Sequence, residues 1–326
     1  MDFTDFKTGA DDTGRRLDKV IRIFVPTATL PNIYKSLRKG FIKVNGAKAK
    51  PDYRINDGDI ITIADFLIKE SQSQGQDECK GLCRSDPGVQ NILDKNLIVF
   101  ENEHILILNK PAGINVHSAA KNEISLQDLV VNYYKSTRTN DSLSFKPGPL
   151  HRIDKYTQGL VCFSMSTMGA QWFGKNMTEH KIKKLYEGVV EGTVSEKQVW
   201  IDKIEKLEEK GDGFHTVKVF DLDNEETAKG CRECKTTIIP IETFKKDNFE
   251  LTRAQFDIET GRQHQIRAQS AYHGYPLYGD SAYGGHKNKD NKTDHAAGFY
   301  LTAKKIEFPP NDLGIPQTIE LFTHSL

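Results

Sequence analysis

Residues 148–160, GPLHRIDKYTQGL, place one carboxylate, that of Asp154, among the basic side chains of His151, Arg152 and Lys155. A carboxylate that acts as a nucleophile or general base has to be ionised, and nearby cations favour that form. The same arrangement also occurs in purely structural ion pairs. The segment alone therefore leaves both interpretations open, and the elements around it have to decide between them.

The elements around Asp154 are a mixture of strands and helices. Apolar runs typical of strands occur in NLIVFENEHILILNK, LVCFSMS, LYEGVVEG and AQFDIET. Apolar residues at helical spacing occur in SLQDLVVNYYKS, GAQWFGKNMTEHK and RQHQIRAQSAYHG. Strands and helices do not alternate regularly, so we predict an α+β fold with a mixed or antiparallel sheet, not a doubly wound parallel sheet.

The N-terminal part predicts a smaller module of its own. RRLDKVIRIFV and PNIYKSLRKG have the spacing of two short helices, the second of which should end at Gly40. FIKVNGAKAKPDYRINDGDIITI then alternates apolar and polar residues around Asn45-Gly46 and Asp57-Gly58, as a small strand-rich unit does. The following stretch, KESQSQGQDECKGLCRSDPG, has the composition of a linker.

Composition limits the function classes. The 326 residues carry 45 basic and 45 acidic side chains, so no global charge points to a polyanionic partner. Between Arg15 and Arg54, however, eleven lysines and arginines face only two aspartates, which makes this part locally cationic. No apolar run is long enough to span a membrane and the first residues do not resemble a signal peptide, so we expect a cytoplasmic protein without a membrane partner.

The five cysteines predict neither a disulfide framework nor a metal site. Their number is odd, and a cytoplasmic protein keeps its thiols reduced. Cys79 with Cys83 and Cys231 with Cys234 form two close pairs, but about 150 residues separate the pairs, which is unusual for a structural zinc site. We expect incidental thiols and no bound metal, although the role of these cysteines stays open.

The N-terminal module resembles an S4 RNA-binding domain. Arg-Leu-Asp at 16–18, the helix end RKG, IKVNG and the closing GDIITI follow the order of that family over about residues 15–63. The resemblance implies an RNA-binding surface, on which basic side chains would follow the phosphates. The candidates are Arg15, Lys35, Arg38, Lys39 and Lys43.

The larger part of the chain resembles the RluA-type pseudouridine synthases over about residues 95–310. LHRIDKYTQGL is similar to their catalytic motif, with Ile153 in place of leucine and Gln158 in place of serine. LNKPAGINVH at 108–117, KKLYEGVVEG at 183–192 and TGRQHQIRAQSAYHGYPLYGDSAYG at 260–284 match further motifs in the family's order. With the S4-like module in front, the domain order resembles that of bacterial enzymes that modify large-subunit ribosomal RNA.

The resemblance implies an isomerase that converts uridine to pseudouridine. This reaction breaks the bond from ribose C1′ to base N1, turns the base and rejoins it through C5, so no atom enters or leaves. It requires no cofactor, which agrees with a sequence that has neither a phosphate-binding loop nor a dinucleotide-binding fingerprint. Asp154 would be the catalytic carboxylate, either attacking C1′ or removing a proton from C2′.

The other site residues follow from the same resemblance. Arg267 would pair with Asp154, with Arg262 as the alternative partner. Arg152 would fill the gap left when the uridine is flipped out of its stack. Tyr186 would stack on the flipped base and relay a proton, and Ile266 would form an apolar wall of the uracil pocket. His151 and His264 are expected to be structural histidines.

Several alternatives remain at this stage. A glycosidase would need a second carboxylate, for which only Asp257 and Glu259 in another motif are candidates. A second alternative is a ribosome-assembly factor that binds RNA without catalysis. A third is a pseudouridine synthase whose substrate is transfer RNA instead of ribosomal RNA. We expect a monomer that acts on 23S ribosomal RNA, either free or in pre-ribosomal particles. We expect the chain to divide into a tail at 1–14, the S4-like domain at 15–64, a linker at 65–90 and the catalytic domain at 91–326.

Overall fold

The computed structural model describes residues 1–69, 92–118, 123–138, 142–207, 216–223, 230–246, 248–286 and 298–322. Most of the expected linker, with Cys79 and Cys83, lies outside the described residues, as does the expected loop KNKDNKTDH. Residues 65–69, at the start of that linker, are helical. None of the helices that the structure describes combines the length and apolarity needed to cross a membrane.

The N-terminal unit packs two helices on a three-stranded sheet. Strands β1 (Phe3–Lys7), β2 (Ile42–Val44) and β3 (Ile60–Ala64) form an antiparallel sheet in the order β1-β3-β2. Helices α1 (Leu17–Phe24) and α2 (Leu30–Lys39) bury their apolar faces against it. Gly40 ends α2 in the left-handed conformation, where glycine has no steric penalty. Both helices thus lie where the apolar spacing predicted them.

The expected N-terminal tail is instead part of this unit. Residues Phe3–Lys7 pair along the whole length of β3, so the unit begins near the first residue. Asp12 is fully buried, and its carboxylate accepts hydrogen bonds from the backbone N–H groups of Leu143 and Ser144, at 2.9 and 3.0 Å. The residues assigned to a tail therefore connect the N-terminal unit to the larger domain.

The larger domain is built on one mixed sheet, which has ten strands in the residues that the structure describes. The strands follow the order β4-β5-β6-β12-β7-β11-β10-β8-β9, and β13 pairs with β12. Only the pair β6 and β12 is parallel, and the other neighbours are antiparallel. The α+β prediction is confirmed. The strands are β4 (Ile98–Glu101), β5 (Ile105–Lys110), β6 (Gln158–Ser164), β7 (Lys183–Glu191), β8 (Gln198–Lys206), β9 (Val217–Asp221), β10 (Arg232–Lys246), β11 (Phe249–Ile258), β12 (Leu301–Glu307) and β13 (Thr318–Glu320).

Both faces of the central sheet are covered. Successive side chains of a strand point to opposite faces, and in β5 Leu106 and Leu108 join one apolar cluster while Ile105 and Ile107 join another. This explains why the strand is apolar without alternation. In the described part of the domain, three helices flank the sheet, α3 (Leu126–Thr137), α4 (Thr167–Thr178) and α5 (Gln265–Tyr272).

Three parts of this domain converge at the middle of the sheet. The loop that carries Asp154 leads into β6, Tyr186 lies on β7 opposite Phe256 of β11 and Ala303 of β12, and Arg267 lies in the first turn of α5. Since β6 and β7 both neighbour β12, segments far apart in sequence meet over this strand.

Candidate active site

A cavity of about 470 Å³ opens over the middle of the ten-stranded sheet. A cavity of this size can hold a nucleoside-sized group. All six residues that the motifs single out in the larger domain line it. They are Arg152, Asp154, Tyr186, Arg262, Ile266 and Arg267.

The Asp154 loop is fixed at its end by a close approach of two strands. Gly159 has φ of +105°, and a Cβ at this position would lie 2.4 Å from the carbonyl oxygen of Ala303 in β12. Only glycine fits both conditions. Gln158, the residue that departs from the family pattern, is exposed and pairs with Thr302, so the substitution leaves this strand pairing in place.

Lys110 fixes the same loop just after Asp154. Its fully buried ammonium donates hydrogen bonds to the carbonyl oxygens of Pro111 at 3.0 Å, Ile114 at 3.0 Å and Lys155 at 2.8 Å. Burial lowers the pKa of Lys110 to about 8, while the charge of Asp154 raises it. With three carbonyl acceptors the ammonium form predominates at pH 7, and it joins the NKPAG loop to the residue next to Asp154.

Arg267 faces Asp154 but is held by a second carboxylate. Its Nη1 lies 3.7 Å from Oδ2 of Asp154, whereas Nε and Nη2 donate to the two oxygens of Asp280 at 2.7 and 2.9 Å. The guanidinium also lies over the rings of Tyr283 at 5.0 Å and Phe299 at 4.6 Å. Arg267 is therefore fixed before any substrate binds, with one nitrogen directed to Asp154.

Burial and neighbouring charges act in opposite directions on Arg267. Only 3% of its side chain is exposed, and burial alone would lower its pKa. The hydrogen bonds and charge of Asp280, together with the charge of Asp154, raise the pKa above its ordinary value. The cation is thus permanent, and Asp154, with 18% of its side chain exposed, remains accessible from the cavity.

His264 also lies beside Asp154. Its Nε2 is 3.9 Å from Oδ1 of Asp154, and its Nδ1 is 2.8 Å from the hydroxyl of Tyr283. That hydroxyl already accepts a hydrogen bond from the N–H of Val217, so its own proton is available to Nδ1. Burial lowers the pKa of His264 and the charge of Asp154 raises it, leaving it below its ordinary value. A neutral ring with its Nε2 proton toward Asp154 satisfies all these contacts.

His264 has a backbone conformation that is uncommon for its residue type. With φ of 52° and ψ of 21°, it is in the left-handed region immediately before α5. Gln265 supports the turn, because its side-chain oxygen accepts from the hydroxyl of Thr260 and the N–H of Arg262. The TGRQHQIR motif thus directs both His264 and Arg267 to Asp154.

Tyr186 and Ile266 form part of the apolar wall. Both belong to the main apolar cluster, with 7% and 5% of their surfaces exposed. Burial raises the pKa of Tyr186, and the charge of Asp154 raises it further, so the hydroxyl is protonated at neutral pH.

The two remaining arginines differ in their contacts. Arg152 is exposed at the edge of the cavity, whereas Arg262 donates from Nε to the carbonyl oxygen of Glu233 at 3.1 Å. Asp257 and Glu259, the carboxylates that a glycosidase would need, do not line the cavity, and Glu259 lies 2.6 Å from the ammonium of Lys235. Of the acidic side chains that the structure describes, it thus brings one carboxylate, that of Asp154, into the cavity with several cations.

The basic candidates of the N-terminal unit fall into two groups. Lys35, Arg38 and Lys39 are exposed on α2, and Lys43 is half-buried on β2 with its ammonium over the ring of Phe3. Arg15 differs from the expectation, because its guanidinium donates to the carbonyl and hydroxyl oxygens of Ser144 at 2.8 and 2.5 Å. It connects the two parts of the chain.

The cysteine pair at 231 and 234 is not joined by a disulfide. Both thiols are free, and the buried Cys234 donates to the carbonyl oxygen of Asp202 at 3.3 Å. Across the described ranges, no group of three or more histidine, cysteine or acidic side chains has an arrangement that could hold a metal ion.

Sequence reasoning missed the residues that hold the site together. Asp280, Tyr283 and Phe299 fix Arg267, and Lys184 lines the cavity beside Tyr186. The signal for two of them was present in YGDSAYG, the last part of the motif at 260–284 that also carries Arg267, because it contains Asp280 and Tyr283.

Residues 104–272 match the family model described as RNA pseudouridylate synthase, and this range is more than half of the chain. The chain belongs to the RNA pseudouridylate synthase family. It is therefore an enzyme that isomerises uridine in RNA to pseudouridine, as the four motifs predicted. The glycosidase alternative is not favoured.

Similar proteins agree with this family. Ribosomal large subunit pseudouridine synthase C of Buchnera aphidicola is 28% identical over 286 residues, which cover 86% of this chain and 81% of that protein. An uncharacterised RNA pseudouridine synthase of Bacillus subtilis is 26% identical, covering 89% of this chain and 86% of the relative. Human RNA pseudouridylate synthase domain containing 1 has the same fold, with a TM-score of 0.53 and 18% identity over 70% of this chain and 82% of that chain.

Proposed function

We propose that this pseudouridine synthase acts on uridines of large-subunit ribosomal RNA and that Asp154 is its catalytic carboxylate. The observation that carries the assignment is the position of Asp154, the carboxylate that lines the cavity, 3.7 Å from a buried arginine. A fixed positive charge orients the carboxylate without being consumed in the reaction. Attack on C1′ and removal of the C2′ proton are both compatible with this geometry.

Arg267 and Asp280 act together in this proposal. Asp280 binds two nitrogens of the guanidinium, Nε and Nη2. The third nitrogen, Nη1, therefore remains beside Asp154 during the reaction. Arg267 is thus a positioning residue for the carboxylate. Arg262, whose Nε is engaged by a backbone carbonyl, is assigned to the RNA instead.

The cavity walls hold the base once it has left its stack. The ring of Tyr186 stacks on the uracil, and Ile266 covers its other apolar side. Such stacking contributes about 1–3 kcal/mol per base. Because its raised pKa keeps the Tyr186 hydroxyl protonated, this group can donate a proton or a hydrogen bond as the base is rearranged.

Arg152 is assigned to the gap in the RNA. A uridine in folded RNA has to leave its stack, at a cost of a few kcal/mol, and an inserted side chain can offset that cost. The side chain of Arg152 is long and exposed, and Arg152 precedes Asp154 by two positions in the sequence, which suits this role. The role implies that the flipped nucleotide enters the cavity past Arg152.

The N-terminal unit is proposed to bind RNA as an S4-like domain. Its exposed cations on α2 are Lys35, Arg38 and Lys39. Contacts of such residues with phosphates are independent of sequence and weaken with salt. The domain therefore supplies affinity, and the catalytic domain, proposed to comprise residues 91–326, selects the uridine.

Ribosomal RNA is favoured over transfer RNA as the substrate. Relatives that align with 86–95% of this chain carry the name ribosomal large subunit pseudouridine synthase C. The S4-like unit agrees with this substrate class. We further propose that the enzyme works as a monomer in the cytoplasm, on free 23S RNA or on pre-ribosomal particles.

The substrate is tested by mapping pseudouridine after reaction in parallel with unmodified 23S ribosomal RNA and an unmodified transfer RNA pool. Carbodiimide labelling followed by primer extension locates each pseudouridine. We expect defined sites in 23S RNA and none in transfer RNA. Sites confined to transfer RNA would contradict the substrate assignment, and tight binding of 23S RNA without any modification would favour the assembly-factor alternative.

A further inference from the structure

Lys184 is a buried cation in the cavity wall that the proposed mechanism does not use. It lies on β7 two residues before Tyr186, so both side chains point to the same face of the strand. It lines the cavity, and only 7% of its surface is exposed. Within the described part of the chain its ammonium has neither a hydrogen-bond partner nor an ion-pair partner.

Among the residues that the structure describes, the surroundings of Lys184 provide no counter-charge. His151 and Cys162 lie nearby, and burial lowers the pKa of the histidine to about 3 and raises that of the thiol, so both are neutral at pH 7. A buried charge without a partner is costly in a folded protein, and burial lowers the pKa of Lys184 itself. Over the described ranges, the fold therefore buries this lysine without a hydrogen bond or ion pair that would stabilise its ammonium.

The loop beside Lys184 leaves the ammonium uncovered. Gly261 is not in the left-handed region, so its backbone conformation does not require glycine. Among the described residues, a Cβ at this position would meet one group, Nζ of Lys184 at 3.4 Å. Any larger residue at 261 would therefore bring its side chain into contact with this ammonium.

We propose that Lys184 donates a hydrogen bond to a carbonyl oxygen of the detached uracil and stabilises the negative charge that the base carries between the two bond-forming steps. This inference rests on the proposed function of the Asp154 cavity. When the C1′–N1 bond breaks, its electron pair remains on the base, and the charge spreads from N1 to the carbonyl oxygens O2 and O4. When C5 joins C1′, either the bond between C1′ and Asp154 breaks or, in the other route, the proton that Asp154 took from C2′ returns to it, and the base becomes neutral. Loss of the C5 proton to solvent and protonation of N1 then complete pseudouridine, so Lys184 changes no bond of its own.

The other cations of the cavity are less suited to this task. Arg267 is bound by Asp280 and faces Asp154, and Nε of Arg262 is bound by a backbone carbonyl. Arg152 is exposed at the edge. Lys184 is the cation that combines burial, a position in the wall beside Tyr186 and an ammonium without a partner in the described residues. A preorganised donor in a water-poor site is most effective where charge develops.

The test replaces Lys184 by methionine, which has a similar length but no charge, and uses Lys183→Met as the matched control. Lys183 is exposed on the opposite face of the same strand. Single-turnover release of tritium from C5-labelled 23S RNA should be slower by about 100-fold in Lys184→Met, the size of effect seen when one preorganised donor is removed, and unchanged in Lys183→Met. The melting temperature of Lys184→Met should rise, because an unpartnered buried charge is removed.

A second substrate separates charge stabilisation from packing. The fluorine of 5-fluorouridine withdraws electrons and makes the base a better leaving group, so breaking its C1′–N1 bond should depend less on Lys184. Mass spectrometry of nuclease digests measures how fast 5-fluorouridine in the RNA is consumed. Relative to the wild type, Lys184→Met should slow this reaction less than it slows the uridine reaction. Lys184→Arg should restore part of the uridine rate.

The results also separate this inference from the proposed function. If Asp154→Ala abolishes tritium release while Lys184→Met reacts at the wild-type rate, the Lys184 assignment is wrong and the role of Asp154 stands. Equal slowing with both substrates, together with a lower melting temperature, would likewise overturn the assignment and make Lys184 a packing residue. If Asp154→Ala retains the wild-type rate, both proposals fail.

Discussion

The contact between Asp280 and Arg267 gives the most specific stability prediction. Asp280→Ala removes both hydrogen bonds to the guanidinium, at 2.7 and 2.9 Å, and leaves a cation of which 3% is exposed. Breaking a buried ion pair from one side costs about 3–5 kcal/mol. Asp154 at 3.7 Å and the two aromatic rings still attract the guanidinium, so we expect a loss at the lower end, about 3 kcal/mol. For a domain of this size, that corresponds to a decrease in melting temperature of about 6–12 °C.

The assay combines thermal unfolding with single-turnover tritium release at a temperature where each variant is folded. Asp280→Asn retains an acceptor and the side-chain shape, so its loss of stability should be smaller, while both variants should react more slowly because Arg267 no longer holds Asp154 in place. Asp312→Ala, at an exposed acid, is the control and should change stability by less than about 0.5 kcal/mol. If Asp280→Ala unfolds at the wild-type temperature and reacts at the wild-type rate, the reasoning is refuted.

Three further predictions follow from other contacts of the site. Burial, with the charge of Lys184, holds the pKa of folded His151 at about 3 against 6.5 in the unfolded chain, so unfolding takes up a proton between these values. Stability should fall as the pH drops from about 6.5 toward 3, by up to about 1.4 kcal/mol per pH unit, and urea titrations at several pH values should show a shallower slope for His151→Asn. Lys110→Met leaves three buried carbonyl oxygens without their donor and should lower the free energy of unfolding in urea by about 3 kcal/mol; an unchanged value would refute the bridging role. Tyr186→Ala should weaken RNA binding by about 1–3 kcal/mol in single-turnover titrations, whereas Tyr186→Phe should keep the affinity but react more slowly; equal affinities of all three proteins would argue against stacking.

Much of the site could be predicted because its residues lie in ordered motifs. Asp154, Tyr186 and Arg267 are far apart in sequence, and the motifs placed all three in one cavity. The partners of Arg267 could not be predicted in the same way. Whether Asp280 or Asp154 binds the guanidinium more closely depends on the packing of α5 against the segment that follows it, which residue types do not encode locally.

The position of Lys184 shows a second limit. In KKLYEG one lysine is exposed and the next is buried, and the two are identical in type. Only strand register decides which one faces the cavity, since a shift of one residue exchanges the faces. The structure fixes this register by pairing Lys184 with Ile258 of β11 and with Ile306 of β12.

Fold elements were missed where local patterns were weak. β1 is an edge strand of five residues whose side chains are mostly exposed, so its sequence FTDFK lacks an apolar face and was assigned to a tail. β10 extends over fifteen residues and contains an irregularity between Pro240 and Glu242. The alternation is interrupted there, and no strand was assigned to this part of the sequence.

The central claim is that Asp154 carries out the isomerisation, and tritium release tests it most directly. Purified wild-type protein and Asp154→Ala are mixed with unmodified 23S RNA labelled at uracil C5, and RNA binding is measured in parallel. The account predicts release by the wild type, no release by the variant and equal RNA binding by both. Release by Asp154→Ala at the wild-type rate would contradict it.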